Sequence, residues 1–157
     1  MGISLLCLVL SITGVTLSYT KSSSSSVQRA RHIEQSQPIS DKERCKDAIM
    51  SFIQAHAMQS DDSGNVIQLS REEEQQMKRL IRSGIGYAES VSDSFLNSIH
   101  SQLQEQFRGH LVKGWRTYLD GIESENVRLQ VEGIELLQSW ETFRAANADL
   151  LYESIIK

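Results

Sequence analysis

From Val91 an apolar residue stands at every fourth position: Val91, Phe95, Ile99, Leu103, Phe107, Leu111, Trp115 and Leu119. A strand repeats every second residue, whereas four residues slightly overshoot one helical turn, so the row is helical. The overshoot limits how it can pack. Each step advances about 40° round an α-helix, and seven steps sweep roughly 280°. No single partner follows such a row along one straight helix. Gly109 and Gly114 offer the remedy, because glycine is costly inside a helix and tolerates left-handed backbone. The reading is a long helix from Ser70 that ends or bends between Arg108 and Gly114, then a shorter amphipathic piece from Leu111 to Leu119.

Residues 120–157 carry a second, seven-residue pattern. One class of positions is uniformly large and apolar, Ile122, Leu129, Leu136, Phe143 and Leu150. The other class, Asn126, Gly133, Trp140, Asn147 and Ser154, mixes amides, glycine and one bulky ring, which weakens a two-stranded zipper. A further row, Val127, Val131, Ile134, Leu137, Leu151 and Ile155, lies well round the same helix. A helix apolar on two sides touches two neighbours. The expectation is one continuous C-terminal helix about 55 Å long, central to a bundle, with Asn126 and Asn147 setting register along its seam.

Capping signals divide the rest. Ser40-Asp41-Lys42-Glu43 sets a hydroxyl to accept the Glu43 amide while the Glu43 carboxylate reaches back to the amide of Ser40. A helix starts there, with Cys45, Ile49, Phe52, Ile53 and His56 or Ala57 inward, and runs out at the turn signal Ser60-Asp61-Asp62-Ser63-Gly64-Asn65. Ser70-Arg71-Glu72-Glu73 repeats the box, and with Glu74 it places acids where the helix dipole favours them. Asp120-Gly121-Ile122-Glu123 has a similar outline, and Gly84 and Gly86 suit a close helix crossing. The fold class is therefore all-α: an antiparallel three- to four-helix bundle with a long C-terminal helix, over residues 40–157.

The stretch before this domain is of another kind. Ile3 to Thr20 has no charged side chain and contains the unbroken core Leu5-Leu6-Cys7-Leu8-Val9-Leu10. Residues 1–20 read as a signal peptide or a membrane anchor. Thr16 and Ser18 are small residues suited to a cut ahead of Tyr19, although no Lys or Arg precedes the core. As an anchor the segment barely reaches the roughly 20 residues that cross a bilayer, and membrane association through residues 3–20 would rest on it. An organelle transit peptide is a third, weaker match, since such peptides are amphipathic and basic early. Residues 21–39, from the tract Ser22 to Ser26 up to Pro38, are a serine-rich flexible linker that buries too little apolar area to offset its ordering entropy.

Charge and side-chain chemistry narrow the function classes. Residues 1–33 hold three bases and no acid, whereas residues 34–157 hold the other 13 bases against all 20 acids, a net of −7. An acidic body is a poor nucleic-acid groove, because phosphate binding needs clustered Lys and Arg. Cys7 and Cys45 are the two cysteines, and removal of the leader would leave one thiol free to pair between chains or simply to pack. No metal site is expected: His32, His56, His100 and His110 follow Arg29, Ile53, Asn97 and Phe107 by three residues, so no Glu-x-x-His pair exists. Ser83-Gly84-Ile85-Gly86 lacks the strand a phosphate loop requires. No catalytic or cofactor-binding residue is assigned, and no cofactor is expected.

What remains is apolar surplus, which points to a protein partner or to homo-oligomers. The expected function is a non-enzymatic exported or membrane-tethered interaction or assembly protein, self-associating or docking on a larger complex. Its interface residues are Leu129, Leu136, Trp140, Phe143, Asn147 and Leu150, with Trp115. The alternative is a small helical carrier that holds a lipid-like or other apolar ligand among Phe95, Ile99, Trp115, Trp140 and Phe143.

Overall fold

The computed structural model describes residues 39–60 and 67–157. The expected leader, nearly all of the linker and most of the turn after Ser60 lie outside these residues. Every regular element within them is helical: α1 (Asp41–Ala57), α2 (Arg71–Glu89), α3 (Asp93–Ile99), α4 (Leu103–Gln106), a π-helical segment (Phe107–Val112), α5 (Lys113–Glu123), α6 (Val127–Ala146), α7 (Ala148–Leu151) and a closing π-helical turn (Tyr152–Ile156).

Both serine boxes form. Ser40 Oγ accepts the Glu43 amide at 3.2 Å while Glu43 Oε2 accepts the Ser40 amide at 2.9 Å. Ser70 and Glu73 repeat the exchange at 3.3 and 2.8 Å. Bonds from Ser40 hold the exposed Glu43 carboxyl below its ordinary pKa. α1 then packs antiparallel on α2, so closely that a Cβ on Gly84 would stand 2.6 Å from the Phe52 ring. Gly86, the other glycine expected at this crossing, faces open space. The buried face of α1 is Cys45, Ala48, Phe52 and Ala55, and its small side chains permit that approach, whereas His56 and Ala57 are exposed.

The long helix expected from Ser70 stops at Glu89. Three local and distant effects end it there. Ser92 accepts the Phe95 amide and starts α3. Arg108 donates to the carbonyls of Ala88 and Val91 and pairs with Asp93 at 3.0 Å, and Arg44 donates to the Ser90 carbonyl at 3.1 Å. α2 has no basic residue in its own last turn, so these two arginines supply the cationic cap from elsewhere in the fold. A second break at His100, extended at φ −154, separates α3 from α4.

The four-residue row is then brought into line by the π-helical segment. A π turn closes i→i+5 and holds more residues than an α turn, so a four-residue step falls short of a full turn where an α-helix overshoots. Phe107, Leu111 and Val112 all reach the core from this segment, and Leu103, Trp115 and Leu119 lie buried on either side of it. Val91 and all of the row from Leu103 onward are buried, and Phe95 and Ile99 pack against the same core. The helix therefore passes Gly109 and Gly114 without ending.

The continuous C-terminal helix is also corrected. Residues 120–123 finish α5 where a start was expected. Asn126 N–H donates to Gly121 O at 2.8 Å and Glu125 N–H to Ile122 O at 3.3 Å, closing a Schellman turn with Glu125 at φ 53. Asn126 Oδ1 then caps α6 by accepting the amides of Arg128 and Leu129. α5 and α6 pack antiparallel with their backbones nearly touching: a Cβ on Gly133 would lie 2.6 Å from Tyr118 N and 2.8 Å from Gly114 O. A Cβ on Gly121 would lie 2.6 Å from Gln130 N. Gly114 is thus a contact point between helices. α6 stops at Ala146, and the closing turn packs against α1, with Leu151 and Ile155 buried and Lys46 Nζ donating to Ile156 O at 2.8 Å.

Candidate functional site

The residues expected to form an interface divide into two environments. Trp115 and Trp140 are internal, at 5% and 4% exposure. Trp115 stacks on Phe52 with ring centroids 5.4 Å apart and 8° between planes, and it meets Tyr118 edge-on at 5.9 Å. Trp140 meets Phe107 at 6.0 Å and Phe143 at 5.9 Å, and Phe143 in turn takes the edge of His100 at 5.4 Å. The aromatic surplus of the sequence is covered by the chain's own rings. Leu129 and Leu136 are half-buried on α6, and Leu150 beyond its end is 40% exposed.

The two asparagines stand at opposite ends of α6. Asn126 caps the start of α6, and Asn147 lies at its end, where Nδ2 donates to Phe143 O at 2.9 Å. Within the chain both amides therefore serve helix termini, Asn126 through Oδ1 and Asn147 through Nδ2.

What faces outward is the other row. Val127 is 69% exposed and Val131 39%, with Ile134 half-buried beside them. At roughly 100° per residue the three fall within about 60° of one another, on the side of α6 turned away from Gly133 and Trp140. Arg128 and Glu135 flank the row, both exposed. Neither makes an ion pair among the described residues, whereas Arg82 pairs with Glu123, Arg116 with Glu89 and Arg144 with Glu141. Leu151 and Ile155, beyond the break at Asn147, are buried in the core and add nothing to this exposed row.

Among the described residues no group of three or more His, Cys, Asp or Glu could hold a metal ion. A cleft of about 310 Å³ is lined by residues 145–150 and opens to solvent, away from the rings named for an apolar ligand. His110, on the π-helical segment, has its Nδ1 buried with no hydrogen-bond partner among the described residues. No described helix is long and apolar enough to cross a membrane, and residues 3–20 lie outside the description.

Cys45 is fully buried, and desolvation pushes its thiol from 9.0 up to about 12. Between those values an unfolded chain releases the proton and the folded one keeps it, so stability is unaffected below pH 9 and falls as pH rises towards 12. Burial raises the Tyr118 hydroxyl in the same direction. Denaturant midpoints taken below and above pH 9 should show this loss, and Cys45→Ala should make the profile shallower. An identical slope in the variant would assign the loss to other groups.

The chain matches no protein-family model, no curated protein and no solved structure.

Proposed function

We propose that this chain is a non-enzymatic interaction protein, exported or membrane-tethered through residues 3–20. Its body acts as an antiparallel bundle built on the α1–α2 and α5–α6 hairpins, and it meets a protein partner through the outer face of α6. One observation supports the reading. A helix on the rim of a folded body keeps its solvent side polar, yet α6 sets Val127 and Val131 there while Gly133 and Trp140 occupy its inner side. Apolar side chains grouped at the surface mark contact sites more often than scattered single ones do.

The test is the size of the particle that contains the chain. Full-length protein, tagged and extracted with mild detergent from the cell that makes it, should sediment well above its own 17.7 kDa. Val131→Lys should return it to monomer size while leaving the helical circular dichroism unchanged. A wild-type chain that sediments alone, or a Val131→Lys variant still in the particle, overturns the assignment of α6 as the contact.

A further inference from the structure

We infer that the partner on this face is a second copy of the chain, docked α6 to α6 in antiparallel, two-fold fashion. The inference rests on the interaction reading above and adds the identity of the partner and the geometry.

The exposed face of α6 is self-complementary. In a two-fold contact residue i of one copy meets residue j of the other, and j meets i. Val127, Val131, Ile134 and Gln138 follow the four-three-four spacing of a helix-pairing stripe. Antiparallel alignment about an axis between residues 131 and 134 sets each Val131 against Ile134 of the other copy and each Val127 against Gln138. The same alignment brings Arg128 opposite Glu135 on the same flank, twice by symmetry. Neither of these two has an ion partner among the described residues of its own chain, whereas Glu141 on the other flank is paired with Arg144. A parallel pair would leave Arg128 without Glu135 in reach. Gln138 and Thr142 continue the exposed side of the helix, so nothing in the described part of one copy covers the stripe. One helix face over about three turns is smaller than the roughly 800 Å² per partner of a standard interface. The pairing is therefore weak, reversible and concentration-dependent.

Sedimentation velocity on the purified full chain, over a range of concentrations in one detergent, tests this. Mass should rise towards a dimer with concentration. Val131→Glu should weaken that association by roughly tenfold or more, since it places two carboxylates in the apolar contact. Any association through residues 3–20 would persist in that variant and serve as the baseline. Arg128→Glu and Glu135→Arg should each weaken dimerisation several-fold, and an equimolar mixture of the two variants should recover it, because each then meets its opposite charge across the axis. Circular dichroism checks that these exposed positions leave the fold intact. Reversals without effect, or a mixture that does not recover, overturn the antiparallel pairing. A chain that stays monomeric when pure also overturns it, and the interaction reading then stands or falls separately on the native particle.

Discussion

Gly133→Ala is expected to destabilise the protein by about 3 kcal/mol, at the upper end of overpacking costs, despite the roughly 1 kcal/mol by which alanine outperforms glycine within a helix. The reason lies in what the new methyl meets. It would stand 2.6 Å from Tyr118 N and 2.8 Å from Gly114 O, which are backbone atoms of α5 that cannot swing aside as a flexible side chain would. Relief requires the two helices to separate, and that loosens Trp140 and Leu137 as well. Gly86→Ala is the matched control. It too is a helical glycine, but nothing lies within 4 Å of its added Cβ, so the same change there should stabilise by up to about 1 kcal/mol. Urea denaturation of both variants gives the comparison, and equal effects of one sign would show that α5 and α6 are further apart than described.

Trp115→Ala should cost about 3–5 kcal/mol, the range for deleting a large buried aromatic side chain. Trp115 joins two parts of the molecule, because its ring lies flat on Phe52 of α1 and takes the edge of Tyr118 on its own helix. Tyr118 in turn donates to Gln59 Oε1 at 2.8 Å, so the loss spreads to the polar seal at the end of α1. Trp115→Phe keeps a ring against Phe52 and should recover more than half of the loss. Thermal and urea unfolding measure both. If alanine costs no more than a surface change, the stacked pair is not a central prop of the fold.

The parts of this fold that were legible in the sequence are those decided within a few residues. Ser40 with Glu43 and Ser70 with Glu73 start helices where their spacing says, because both partners of each exchange lie in one turn. The four-residue row from Val91 announced helix and a departure from straightness together. Where the departure falls was hidden, since α2 ends on carbonyls that Arg44 and Arg108 reach from far along the chain. The Ser92-Asp93 pair was the local sign of that stop. Glycine misled for a related reason: Gly114, Gly121 and Gly133 look like interruptions one at a time, and only the packed hairpin reveals that they lie against backbone. The candidate surface followed the same rule. Trp115 and Trp140 announce contact, but periodicity does not say whether the contact is with the same chain, and here Phe52, Phe107 and Phe143 provide it. Val127 and Val131, the least conspicuous side chains of α6, are left outside.

The packing of the closing turn on α1 joins the first and last helical segments of the described residues. Lys46 and Ile156 are 110 positions apart, and Ile155 is sealed beneath that bond. α1 cannot be finished by α2 alone, for its flank stays open until Tyr152–Ile156 arrives. Contacts of such separation form late, after the loop between them has lost its freedom. The molecule should consequently lose its structure as one piece, with neither hairpin surviving as an island once that latch is released.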